Sequence, residues 1–246
     1  MELTILGCHS PYPPVDGAGP GYLLTHAGAC VLLDCGSGVV SKLGRYVDLR
    51  GGQLAAVVLS HLHADHFSDL LVLRYARMLG VAGGKASALP VYCPAEPAVE
   101  RAVIPFREVL SVHHIDERFR FGLGALSFSF YRTKHTYPCY AIRVEAEGRS
   151  LVYTGDTAWD EGLVEFAALA DVLLVEASFT EQNKGENSAQ HMSARECGVL
   201  AEQAMVGKLV LTHLPPAGNN AELLAEARAA FSGETVLASS GLCLEI

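Results

Sequence analysis

The chain has 246 residues, half of them hydrophobic and 18% charged, with a formal charge of −9 at pH 7. That composition allows a sizeable core and excludes a disordered or collagen-like chain. The acidic balance argues against a non-specific grip on nucleic acid, which needs a long basic surface.

The first residues, Met-Glu-Leu-Thr-Ile-Leu, enter a strand directly, with no basic and apolar leader. No run reaches about 18 apolar residues, so no membrane span is predicted. The seven cysteines are scattered and form no Cys-x-x-Cys pair, which reads as reduced thiols in a cytoplasmic protein. No Pro-, Ser- or charge-rich linker divides the chain, and one domain over 1–246 is expected.

Residues 3–6 read as the first strand, followed by a Gly- and Pro-rich loop over 7–21 that lacks the Gly-Lys-Ser/Thr ending of a phosphate-binding loop. His9 and Ser10 read as part of a connecting loop, with contact to substrate as the alternative. A hairpin over 22–25 and 29–33 ends at Asp34, placed either to orient a ligand histidine or simply to turn the chain. After an apolar run at 55–59, His61, His63, Asp65 and His66 fall within six residues. A helix follows, with Leu70, Leu71, Leu73, Tyr75, Met78 and Leu79 as its expected buried face. The small residues of 80–89 predict a loop, 90–92 a strand and 95–110 a helix. His113 and His114 point to opposite sides of a strand, so they are not assigned to one metal.

The second half is read in the same style. Alternating Phe128, Phe130, Tyr140, Ile142 and Val144 mark strands around Lys134-His135-Thr136. Residues 151–154 lead to Gly155-Asp156-Thr157, and 171–176 form a strand ending on Glu176. A polar loop over 180–190 stops at His191, ahead of a capping box at Ser193 and Glu196 that opens a helix. The strand over 208–212 ends at His213, and Pro215-Pro216 bars a continuing helix. A helix over 221–231 and a strand over 234–237 close the chain.

Three histidines and an aspartate in one turn are costly to bury without partners, at roughly 1–3 kcal/mol per unsatisfied group. Imidazole nitrogens with carboxylate oxygens are a ligand set suited to zinc. His61 and His63 can converge on one ion, while Asp65 and His66 serve a second beside it. His135, Asp156, Glu176 and His213 each follow an apolar strand, where sites in layered α/β proteins gather.

His-x-His-x-Asp-His after a hydrophobic strand resembles the signature of the metallo-β-lactamase superfamily, and His135, Asp156 and His213 match its later ligands in order. The resemblance implies an α/β (α+β) fold, a four-layer αββα sandwich of two mixed sheets flanked by helices. It implies two divalent ions, zinc or alternatively manganese. His61, His63 and His135 would hold the first ion, Asp65, His66 and His213 the second, and Asp156 would bridge them. Residues 175–179 and 191–195 are similar to the Glu and His segments of the ribonuclease Z-like phosphodiesterases. By that likeness His191, held by Glu176, protonates the leaving oxygen, and Asp65 orients the nucleophile as well as binding metal.

The expected activity is therefore hydrolysis by a metal-activated hydroxide, first of a small nucleotide-like or short oligonucleotide phosphodiester. Lys134 is a candidate phosphate contact. A carbonyl hydrolase (lactonase, thioesterase or β-lactamase-like) is the alternative. Transfer-RNA 3′ processing is a second one, weakened because only a hairpin separates His135 from Asp156, where an RNA-gripping arm would sit. A glutamate at the position of His63 would mark the flavin-partnered diiron branch, and the intact ligand set speaks against a non-enzymatic scaffold. No membrane partner is expected, and the assembly is left open between monomer and homodimer.

Overall fold

Alternation at period two sorts each strand's side chains between two cores. Leu3, Ile5, Leu24, Val31, Leu33 and Val58 join one cluster, while Leu6, Leu23, Leu32 and Val57 join the other. The computed structural model describes residues 1–185, 190–217 and 220–246.

Among the described residues, the first half forms a seven-stranded sheet. Its strands are β1 (Glu2–Gly7), β2 (Gly21–His26), β3 (Ala29–Leu33), β4 (Leu54–Val58), β5 (Leu89–Pro94), β6 (Leu110–Ile115) and, from the far end of the chain, β14 (Cys243–Glu245). The second sheet holds β7 (Arg120–Leu123), β8 (Leu126–Arg132), β9 (Tyr140–Ala146), β10 (Arg149–Tyr153), β11 (Val172–Glu176), β12 (Lys208–Thr212) and β13 (Glu234–Leu237). The orders are β14-β1-β2-β3-β4-β5-β6 and β13-β12-β11-β10-β9-β8-β7. Both sheets are mixed: β3 through β6 and β10 through β13 run parallel, and the remaining neighbours are antiparallel.

The larger cluster fills the space between the sheets and continues into α5 (Glu161–Ala167), α6 (Ala194–Gln203) and α7 (Asn220–Ala230) through Leu163, Leu200 and Leu223. The smaller one packs the first sheet against α1 (Val39–Leu43) and α3 (Leu70–Ala82) through Val39, Leu43, Leu70 and Leu73. Helix–sheet–sheet–helix is the expected αββα sandwich. The Ser193–Glu196 capping box is present at the start of α6, both of its hydrogen bonds made.

Several elements depart from the sequence reading. Tyr75 and Leu79 are 50% and 60% exposed, whereas Arg77 of the same helix is buried, its guanidinium donating to the carbonyls of Gly51 and Ser87. The buried face of α3 thus follows Leu70, Leu73, Arg77 and Gly80, because Gly80 lies close against the Arg50 carbonyl. The helix predicted over 95–110 shrinks to α4 (Ala98–Ala102). Pro105 lacks the amide hydrogen that a continuing helix needs, and Leu110 is taken into β6 beside β5. The loop predicted over 80–89 starts only at 83, since α3 runs to Ala82. Strands β7 and β14 were not predicted; both are short, β7 an edge strand in a tight hairpin with β8 and β14 paired with β1 from the opposite end of the chain. Part of the polar loop predicted over 180–190, residues 186–189, lies outside the described residues.

Candidate metal centre

The parallel strands of both sheets aim their C-terminal ends at one place, where side chains can gather from loops. After β3 stands Asp34; after β4 come Ser60, His61 and His63, then α2 (Ala64–Phe67), which carries Asp65 and His66. The second sheet contributes His135 after β8, Asp156 after β10, Glu176 at the end of β11 and His213 after β12. Asp34 and His213 hold positive φ of 55° and 56°, a strained conformation for residues other than glycine.

Donor atoms of His61, His63, His135 and Asp156 all lie within 4.8 Å of one another, as do those of Asp65, His66 and His213, and those of Asp156, His191 and His213. His63 Nδ1 is 2.9 Å from His61 Nε2 and 3.0 Å from His135 Nε2. Around Asp156, Oδ2 stands 3.1 Å from His213 Nε2, 3.6 Å from His61 Nε2 and 3.8 Å from His135 Nε2, while Oδ1 is 3.3 Å from His66 Nε2.

The outer hydrogen bonds fix what those nitrogens carry. Ser60 Oγ donates to Asp34 Oδ2, so it must accept from His61 Nδ1–H at 3.0 Å, leaving a lone pair on Nε2. Likewise Ser178 Oγ donates to Glu176 Oε2 and accepts from His213 Nδ1–H at 2.8 Å. His135 Nδ1–H donates to the Gln190 carbonyl at 3.1 Å, and His66 Nδ1–H to Asp34 Oδ2 at 2.8 Å. Inward-facing lone pairs and carboxylate oxygens repel one another unless a cation lies among them. Consistent with that, His66 Nε2, His213 Nε2 and Asp156 Oδ1 are buried with no hydrogen-bond partner among the described residues. The donor set fits a metal ion of the zinc type.

The electrostatics of the chain's own groups agree. Burial drives His61 well below the usual imidazole range, with the His66 charge adding to it. Burial also lowers His63 and His135. For His66 burial acts in the same direction but is outweighed by the Asp156 and Asp34 carboxylates, which raise it to about 10. Asp156 is held well below the carboxylate range, since His213, His66 and His61 outweigh its burial.

A cavity of about 500 Å³ opens beside these residues. It is lined by His63, Asp65, Asp156, His191 and His213 together with Pro11, Phe179, Pro215 and Pro216. His191 Nδ1 donates to Glu176 Oε1 at 2.8 Å, and Glu176 is fully buried, also accepting from Thr157 N at 2.9 Å. Burial lowers the His191 pKa, but the Glu176 charge and hydrogen bond outweigh it and raise the value to about 9.

The structure brings together nine of the ten predicted site residues. Lys134 is the exception: its ammonium pairs with Asp160 Oδ1 at 3.3 Å, and it does not line the cavity. An acidic helix cap within reach is a better partner for an exposed lysine than an apolar-walled cavity. His113 stacks on Tyr92 and His114 meets Arg101, both apart from the converging ligand atoms. Sequence reasoning missed Ser60 and Ser178, which adjoin His61 and Ala177 and lock two tautomers, and Tyr153, whose hydroxyl reaches Asp34 across the sandwich at 2.6 Å. Ser10, read mainly as loop, donates to Asp65 Oδ2 at 2.6 Å. Hydroxyls beside a ligand motif are the signal that points to the first two; nothing local points to Tyr153.

The family model for the beta-lactamase superfamily domain matches residues 30–214. The chain is 34% identical over 246 residues to the probable metallo-hydrolase YhfI of Bacillus subtilis, covering 100% of both chains. It is 30% identical over 263 residues to a ribonuclease Z of Mycobacterium bovis, covering 95% of this chain and 94% of that one. The crystal structure of the Bacillus subtilis YhfI superposes with a TM-score of 0.94 at 33% identity, over 99% of this chain and 98% of that one.

Proposed function

The chain belongs to the β-lactamase superfamily and is a metallo-hydrolase of that fold, and from that premise we propose that it hydrolyses a small, nucleotide-like phosphodiester. The observation that carries this reading is the Glu176–His191 pair at the cavity wall. His61, His63, His135 and Asp156 would hold one divalent ion, and Asp65, His66 and His213, sharing Asp156, a second; zinc fits the donors best, with manganese the alternative. When bound, such ions supply Lewis acidity that activates water and neutralises developing negative charge.

The chain's own residues do the rest. Asp65, held by Ser10, presents a carboxylate to the cavity that can take a proton from water. Glu176 raises the His191 pKa and favours its protonated form, and the ring faces the cavity, where it can give that proton to a departing alkoxide. An alcohol leaving from phosphorus needs such an acid far more than an activated acyl group does, which favours phosphodiesters over lactones, thioesters and β-lactams. Among the described residues no lysine or arginine lines the cavity. A substrate with a single negative charge and a flat, weakly polar group against Phe179, Pro215 and Pro216 suits those walls. The net charge of −9 and the hairpin of β9 and β10 between His135 and Asp156 favour a small substrate over transfer RNA.

The test is turnover of bis(p-nitrophenyl) phosphate and of dinucleotides by protein reconstituted separately with zinc and manganese, beside Asp65→Ala and lactone, thioester and β-lactam substrates. Turnover of diesters that disappears in Asp65→Ala is the expected result. Metal-loaded protein that leaves every phosphodiester intact while opening an acyl substrate refutes the reading.

A further inference from the structure

Four of the histidines around Asp156 have their outer nitrogen tied: His61 to Ser60, His66 to Asp34, His135 to the Gln190 carbonyl and His213 to Ser178. His63 differs. Among the described residues no hydrogen bond is made at its Nε2, although its Nδ1 is the hub between His61 and His135. The torsion that turns a histidine ring is broad and roughly two-fold, so it does not by itself aim Nδ1 inward. Something else must hold the plane of this ring.

Tyr137 is the residue in contact. Its ring lies against His63 with centroids 4.2 Å apart and planes 31° apart. Its hydroxyl donates to Glu100 Oε1 of α4 at 2.9 Å, a charge-assisted bond that ties the β8–β9 loop to a helix of the other sheet's half. The clamp therefore joins three segments distant in sequence, and among the described residues it acts on the one of the five histidines around Asp156 whose outer nitrogen makes no hydrogen bond.

We propose that Tyr137, tethered by Glu100, is the positioning residue that fixes His63 as a metal ligand, taking the place that a hydrogen-bond acceptor has at the other histidines. The inference rests on the reading that His61, His63, His135 and Asp156 hold one ion. Loss of such an outer contact typically weakens metal affinity by about 10–100-fold.

The experiment is zinc competition against a chromophoric chelator, resolving the stepwise affinities, with the visible spectrum of the cobalt-loaded protein as a second readout. Wild-type protein that binds no zinc would overturn the underlying site assignment; the Tyr137 proposal is judged on the differences between variants. Tyr137→Leu is expected to weaken one affinity by about 10-fold or more while the other stays within about twofold, and to change the cobalt bands. Glu100→Ala, which cuts the tether from outside the loop and leaves Tyr137 in place, is expected to weaken the same affinity by less. It keeps the test available if Tyr137→Leu fails to fold. Glu100→Gln, which still accepts the hydroxyl, should restore the wild-type value. Unchanged affinities in Tyr137→Leu and Glu100→Ala overturn the proposal. So does an equal fall of both affinities, the mark of general loosening.

Discussion

Replacing Glu176 by glutamine keeps the size of the side chain and removes its charge. In the native chain burial pulls His191 down, and the carboxylate 2.8 Å away more than offsets it, holding the ring at about 9 instead of the usual 6.5. Without that charge only Asp156 opposes burial and the charge of His66, so the midpoint should fall to about 6.5 or lower. At about pH 8 a ring with a midpoint near 9 is about nine-tenths imidazolium, whereas one at 6.5 is about 3%, a loss of about 30-fold in the acid form. The ring proton resonances of metal-free wild type and Glu176→Gln give the two midpoints directly. In the zinc-loaded enzyme the same substitution should lower kcat on diesters with a poor leaving alcohol and barely affect a nitrophenyl ester, which departs without an acid. If the wild-type midpoint lies at or below 6.5, or if both ester types slow equally, the acid role of His191 is wrong.

Asp34→Ala should cost about 3–5 kcal/mol of stability, since it strands Ser60 N–H, Ser60 Oγ–H, Tyr153 Oη–H and the ionised His66 in a fully buried place; urea unfolding of metal-free protein measures it, and a loss below about 1 kcal/mol would contradict the network. His66 and His191 have folded values raised to about 10 and about 9 above the ordinary 6.5, so their stabilisation is complete below 6.5 and lost as pH rises through those values. Metal-free protein should therefore become less stable to urea between pH 6.5 and 10, while zinc affinity rises over the same window because His66 must release its proton to bind. Gly36→Ala places a Cβ 2.0 Å from the Asp65 carbonyl oxygen, with Pro20 backbone behind it. It should destabilise by about 1–3 kcal/mol and weaken zinc binding through the displaced turn, seen by thermal melting and chelator competition.

Strand identity was legible wherever apolar residues alternated or ran unbroken, as at 3–6, 55–59 and 171–176, because burial of a sheet face leaves that pattern in any sequence. The helix over 95–110 was misread for a related reason. Acidic residues early and Arg107 late suit a helix locally, but Pro105 stops it, and Leu110 pairs with Leu89 across the sheet, a partner outside the segment. Tyr75 and Leu79 were assigned to the core on the same local logic, whereas Arg77 took the buried place through carbonyls supplied by two distant loops.

The residues of the candidate site could be named from the chain itself, since His61, His63, Asp65 and His66 are close neighbours and His135, Asp156, Glu176, His191 and His213 each end or follow a strand or precede a helix. What the sequence could not specify is how each donor is oriented. The bond of Ser178 to His213, the reach of Tyr153 across the sandwich, and the pairing of Lys134 with Asp160 all join residues far apart in the chain, and Ser60, although next to His61, is made an acceptor by the distant Asp34 carboxylate. Identity of a ligand is a property of one residue. Its protonation and direction belong to the neighbours that folding supplies, and only the packed sheets determine which neighbours those are.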